Sequence, residues 1–154
     1  MKNVIVLLLT LFSLTACSKK NDSGCMPVSA SAESGAIAAF CDANSINYTV
    51  DSNGIYYQVI DQGSGVTPDE NSTITVTYIS STLDGNVVAD KSSTPVTFPL
   101  SQFIEGWRIA IPYIQKGGHI KMVIPSSLAY GCTGSDLIAP NSPLYYDVVL
   151  RNVQ

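Results

Sequence analysis

The chain has little with which to run acid–base, nucleophilic or metal chemistry: 154 residues carry one histidine, one tryptophan and four cysteines. With His119 as the sole imidazole, a Ser-His-Asp set has no evident members, and His119 itself reads as a partly exposed strand residue. Cys17, Cys25, Cys41 and Cys132 show no close ligand spacing, so no metal is expected and no cofactor motif stands out. Charge is scarce as well. Only 13% of residues are charged, 8 basic against 12 acidic, for a formal net charge of −4. Beyond Lys20 the basic residues are scattered (Lys91, Arg108, Lys116, Lys121, Arg151), which argues against a nucleic-acid partner. Gly63-Ser64-Gly65 lacks the lysine and helix of a phosphate loop and reads as a turn.

Long apolar runs are confined to the start. Lys2 followed by Val4 to Leu14 has the form of an export signal, too short to serve comfortably as a permanent membrane span. It ends in Leu14-Thr15-Ala16-Cys17, which resembles the lipobox of bacterial lipoproteins, where a diacylglycerol is attached to the cysteine and the leader is cut in front of it. That resemblance implies residues 1–16 as signal peptide, Cys17 as lipidated mature N-terminus and residues 17–29 as a tether. The partner implied is a membrane held through the lipid. Ser18, with no aspartate after the cysteine, implies the outer membrane of a bacterial cell envelope. Two or three acyl chains at about 0.8 kcal/mol per buried CH₂ give durable anchoring. In an oxidising compartment Cys25 and Cys41 are expected to pair, tying down residues 30–50 as an N-terminal extension and leaving Cys132 over. Asn21, Asn47 and Asn71 sit in Asn-x-Ser/Thr sequences, taken as chance in a bacterial chain.

Residues 51–154 carry the pattern of one domain. Within the extension, Ala36, Ile37, Ala39 and Phe40 give a partial apolar stripe and predict a helix over 32–43. Asp51-Ser52-Asn53-Gly54 predicts a turn and Ile55 to Ile60 a strand. Thr73 to Tyr78 alternates, with Ile74, Val76 and Tyr78 on one face and three threonines on the other. Pro95 to Phe98 reads as a strand with Phe98 a core candidate. Trp107, Ala110, Ile111 and Ile114 follow helical spacing over 105–114, where Pro112 should leave the helix short or kinked. Ile120, Met122 and Ile124, then Leu144, Tyr146, Val148 and Leu150, alternate inward on two more strands. An α+β fold follows: a twisted antiparallel sheet with one apolar helix across it.

Four strings stand in order within that pattern: Ile104-Glu105-Gly106-Trp107, Lys116-Gly117-Gly118, Ile124-Pro125 through Leu128-Ala129-Tyr130-Gly131, and Leu144-Tyr145-Tyr146-Asp147-Val148. From about Tyr56 to the C-terminus they resemble the FKBP-type peptidyl-prolyl isomerases. The resemblance implies the FKBP-like arrangement of a twisted antiparallel sheet wrapped on one short helix. It implies activity as a peptidyl-prolyl cis-trans isomerase, a rotamase assisting protein folding of exported or envelope proteins, with proline-containing peptides or unfolded segments as partners. By the same resemblance Trp107 floors a proline pocket, Ile104 presents its N–H, Tyr130 offers a hydroxyl from the rim, and Tyr78 and Tyr146 line the walls. Phe103 and Ile138 match further wall positions. Two positions usually aromatic in the family are aliphatic here, Val88 and Val96, and Asp90 matches the family's aspartate with one residue inserted.

Isomerisation needs no nucleophile. Amide resonance sets a rotation barrier of about 18–20 kcal/mol. A site that strips water from the dipolar planar amide and hydrogen-bonds the twisted form lowers it. The aliphatic replacements keep open a non-catalytic peptide-binding chaperone on the same fold. A third reading makes the domain a scaffold for the extension.

Overall fold

A computed structural model of the protein describes residues 24–154. Cys17 and the leader lie outside the described residues. The chain begins with α1 (Ala30–Ala43), capped by the Ser29 hydroxyl, which accepts from the Ala32 N–H at 3.3 Å. The strands are β1 (Thr49–Val50), β2 (Tyr56–Asp61), β3 (Thr73–Thr82), β4 (Val87–Asp90), β5 (Val96–Pro99), β6 (His119–Ile124) and β7 (Leu144–Val153). All pair antiparallel in one sheet of order β1-β2-β6-β7-β3-β4, and β5 shares the outer edge of β3 with β4. β5 takes Thr73 to Val76 and β4 takes Ile79 to Ser81.

Between β5 and β6 lies α2 (Glu105–Ala110), only six residues long. Pro112 cannot continue its hydrogen-bond ladder, so the chain tightens into a 3-10 turn at Ile111–Tyr113, as the sequence predicts. Trp107, Ala110, Ile111 and Ile114 are all buried against Ile74, Val76, Ile120, Met122, Ile124, Val148 and Leu150. Contact is close enough to need glycine: a Cβ on Gly106 would sit 2.3 Å from Ile124 Cγ2.

Two details depart from simple alternation. Thr77 is buried although it stands on the opposite face of β3 from Val76 and Tyr78, and Arg151 Nε donates to its hydroxyl at 3.1 Å. Phe98, expected in the core, is instead 49% exposed. Its strand pairs with β3, and Phe103 lies edge-on to its ring at 6.3 Å.

The back of the sheet is covered too. Glu33, Ile37 and Cys41 recur at four-residue spacing on one face of α1 and are buried. Ile37 and Cys41 pack with Ile46, Tyr56 and Val123, a second core on the opposite side of the sheet from α2. Val123 is therefore buried like its neighbours Met122 and Ile124, although it points the other way.

The expected Cys25–Cys41 bridge is corrected. Cys25 bonds to Cys132, with 5.3 Å between Cα atoms, and Cys41 is a buried free thiol. Cys41 lies far along α1 while Cys25 lies before its start. Cys25 is held beside the loop after Tyr130, whereas the Cys41 thiol packs with Ile37, Ile46, Tyr56 and Val123 on the back of the sheet.

Candidate active site

The mouth of the site is built where β5 hands over to α2. A 3-10 turn at Leu100–Gln102 buries Leu100 and delivers Phe103 and Ile104 just ahead of the helix. Ile104 is the N-cap of α2. Its carbonyl accepts from the N–H groups of Trp107 and Arg108, while its own N–H donates to no acceptor among the described residues. Trp107 follows on the first turn, 1% exposed and part of the main core.

Around the Trp107 indole the aromatic side chains make three different contacts. Phe103 stacks on it at 4.6 Å with an interplanar angle of 8°. Tyr78 from β3 and Tyr146 from β7 meet it edge-on, at 5.2 Å and 5.4 Å. Tyr130 closes the rim from the loop after β6, where a 3-10 turn at Ser126–Leu128 carries it out of the strand direction, and its side chain is 40% exposed. These residues with Gln102 and Ile104 line a hollow of about 130 Å³. Drug-sized pockets run to roughly 300–1,000 Å³, so this one suits a single ring-sized apolar group.

Two of the hydroxyls at the hollow, those of Tyr146 and Tyr78, are kept protonated. Burial, reinforced by nearby Tyr130 and Tyr78, pushes the Tyr146 hydroxyl far above its ordinary 10.0. Burial, with Tyr130 alongside, raises Tyr78 as well. Both remain O–H groups at any physiological pH. The arrangement offers an apolar floor, an unpaired backbone donor and phenolic hydroxyls around one small space. It offers no nucleophile, and no cluster of metal-ligating side chains occurs among the described residues.

The structure thus gathers Trp107, Tyr130, Ile104, Tyr78, Tyr146 and Phe103 at one hollow, and leaves four other sequence candidates outside its lining. Ile138, 3% exposed, belongs to the main core. Val88 and Val96 are half-buried at the core's edge. Asp90 is exposed and turns to Ser92, accepting from its N–H at 2.9 Å and its hydroxyl at 2.7 Å, bonds that hold the carboxyl below its ordinary range. Gln102 lines the hollow and was not anticipated. A lone polar residue in a short turn carries no periodic signal that would single it out.

Comparison with known proteins fits this geometry. Residues 65–151 match the family model for the FKBP-type peptidyl-prolyl cis-trans isomerase. The chain is 42% identical over 106 residues to the FKBP-type peptidyl-prolyl cis-trans isomerase FkpA of Escherichia coli (strain K12), covering 67% of this chain and 39% of that protein. It is 35% identical over 104 residues to the outer membrane protein MIP of Legionella longbeachae, covering 66% of this chain and 45% of that one. The chain therefore spans about two-fifths of the length of these curated relatives. Among solved structures, Escherichia coli FkpA superposes with a TM-score of 0.69 at 34% identity, over 80% of this chain and 64% of that one. A peptidyl-prolyl cis-trans isomerase from Pseudomonas syringae pv. tomato gives 0.69 at 30% identity, over 84% of this chain and 98% of its own.

Proposed function

This chain belongs to the FKBP-type peptidyl-prolyl cis-trans isomerase family, and from that premise we propose that it catalyses rotation about X-Pro bonds in exported or envelope proteins. The observation that carries this reading is the Trp107 floor, stacked by Phe103 and walled edge-on by Tyr78 and Tyr146. A proline ring resting there takes the preceding amide out of water. The planar amide is the more dipolar state, so an apolar surround destabilises it more than the twisted transition state. The free Ile104 N–H then holds a substrate carbonyl, and the Tyr130 hydroxyl reaches the peptide from the rim. Both donors are fixed before the amide twists, so no reorganisation opposes the step.

Asp90 is assigned no contact with substrate, because Ser92 already occupies its carboxylate. Val88, Val96 and Ile138 are assigned a supporting place behind the lining residues. A second reading, a peptide-binding module without catalysis, is favoured by the aliphatic Val88 and Val96 where bulkier rings would enclose the ligand.

For localisation, the Leu14-to-Cys17 string supports a leader at 1–16 and lipid on Cys17, which would place the domain on a membrane of the bacterial envelope. The bond from Cys25 to Cys132 supports a tether that stops at residue 25, ahead of the expected residue 29. The relative from Legionella longbeachae is named an outer membrane protein, which agrees with this placement. Fatty-acid labelling of the wild type that persists in Cys17→Ser would overturn the anchor.

A protease-coupled assay on a proline tetrapeptide tests the main proposal. Turnover above the uncatalysed rate is expected, with Tyr130→Phe lowering kcat/KM several-fold while leaving the fold unchanged. Peptide binding with no acceleration would put the binding module first.

A further inference from the structure

One carboxylate has no part in the scheme above and is placed where a carboxylate is costly. Glu33 of α1 is 7% exposed. Neither ion pair found among the described residues involves it. A buried acidic group without a cation needs strong hydrogen bonds to be tolerated. Both of its oxygens spend them on one residue: Oε2 accepts from the Ser126 N–H at 2.8 Å and Oε1 from the Ser126 hydroxyl at 2.5 Å.

Ser126 is itself fully buried and opens the 3-10 turn that leads to Tyr130. Its carbonyl accepts from Ala129 N–H at 3.0 Å and from Gly131 N–H at 2.8 Å, the residues immediately before and after Tyr130. The carboxylate thus grips the donor side of Ser126, and the acceptor side of Ser126 brackets the tyrosine. Other contacts, from the residues just ahead of α1, arrive beyond it. Cys25 is bonded to Cys132. Asn141 donates its N–H to the Gly131 carbonyl at 2.8 Å while its side chain holds the Val28 N–H and the Met26 carbonyl.

We propose that Glu33 is a positioning residue for the isomerase reaction: through Ser126 it sets where the Tyr130 hydroxyl stands over the hollow. The extension is then part of the site, although none of its residues lines the Trp107 hollow. This inference rests on the isomerase reading.

The test is a double-mutant cycle on the full chain, read as kcat/KM in the proline tetrapeptide assay, with amide hydrogen exchange as a second measurement. Glu33→Ala should lower kcat/KM roughly tenfold, less than the hundredfold that a 1 Å misplacement can cost. Glu33→Gln retains an oxygen to accept one of the two bonds and should stay within about threefold of wild type, the rescue expected if bonding geometry rather than charge matters. In a Tyr130→Phe background the same Glu33→Ala change should lower kcat/KM by less than about twofold, because the group it positions has gone. Exchange at Ala129 and Gly131 should speed up in Glu33→Ala while β6 and β7 amides keep their protection. Fully additive losses, or unchanged exchange at those two amides, overturn the proposal. An inactive wild type would instead defeat the isomerase reading, and the exchange result would still decide whether Glu33 holds the turn.

Discussion

The two faces of the sheet are packed to different ends. On the front, α2 and the strands bury a continuous core but leave Trp107 under a small aromatic hollow that protein atoms do not fill. On the back, α1 covers Tyr56 and Val123 with Ile37 and Cys41, and Phe40 and Tyr48 fill in around them. One face keeps an unsatisfied apolar surface for a ligand, and the other spends its apolar surface on holding an extension in place. Glu33 apart, substitutions on the two sides should therefore separate activity from stability.

The largest effect is expected at Trp107. Trp107→Leu keeps an apolar side chain yet removes the flat floor, and kcat/KM should fall about a hundredfold or more, since a misplaced substrate loses that much. The matching change on the back is Ile46→Ala, in a residue 5% exposed that leaves the Glu33–Ser126 bonds untouched. It should cost about 2–4 kcal/mol of stability through the cavity left behind. At temperatures well below unfolding it should leave kcat/KM near wild type. Thermal melts and the peptide assay on both variants check this. A fall in kcat/KM for Ile46→Ala comparable with that for Trp107→Leu would mean the faces are not separable.

Next in size is the bridge that joins them. Cys25–Cys132 closes a separation of 107 residues, and removing it should cost about 2–4 kcal/mol, most of it through the unfolded chain. Mass mapping of the non-reduced protein should return a linked Cys25–Cys132 peptide. Cys41 should resist alkylation until the protein unfolds, because burial, aided by Asp42, pushes its thiol up to about 11 and no solvent reaches it. A linked Cys25–Cys41 peptide would contradict the back-face packing outright.

The front of the molecule was readable in the sequence for a physical reason. Trp107, Ala110, Ile111 and Ile114 obey a helical period, Ile120, Met122 and Ile124 a strand period, and the strings around Trp107 and Tyr130 carry the family resemblance. The back was not readable because its determinants are long-range. Val123 is buried only because a distant helix covers it, and Glu33 would pass for a solvated residue on a polar helix face until Ser126 is seen beside it. Cysteine counting favoured the near pair, whereas Cys25 meets Cys132 across the chain and Cys41 is buried in the second core. Thr77 and Phe98 departed for local reasons, an arginine laid over the threonine in one case and an uncovered edge strand in the other.

The smallest predicted effect lies at the edge of the sheet, where the two sides meet. Asp51 follows β1 and accepts from the N–H groups of Asn53 and Ile55 at 2.9 and 2.8 Å, while Tyr113, just past α2, donates its hydroxyl at 2.9 Å. Burial alone would raise the Asp51 carboxyl, but bonds from Ile55, Tyr113 and Asn53 outweigh it and leave it below its ordinary 3.8. The unfolded chain therefore binds the proton more readily. The stabilisation from these bonds is complete above 3.8 and is lost as pH falls through the lower folded value. The alkaline side mirrors this. Burial, and then Asp51, push Tyr113 up to about 12, so its contribution is whole below 10.0 and fades as pH rises towards about 12. Tyr113→Phe should flatten both ends of the stability profile relative to wild type, by an amount far below the effects of Trp107→Leu or of losing the bridge. A Tm difference between the two proteins that stays constant from neutral pH to well below 3.8 would show that the Asp51 carboxylate draws nothing from this bond.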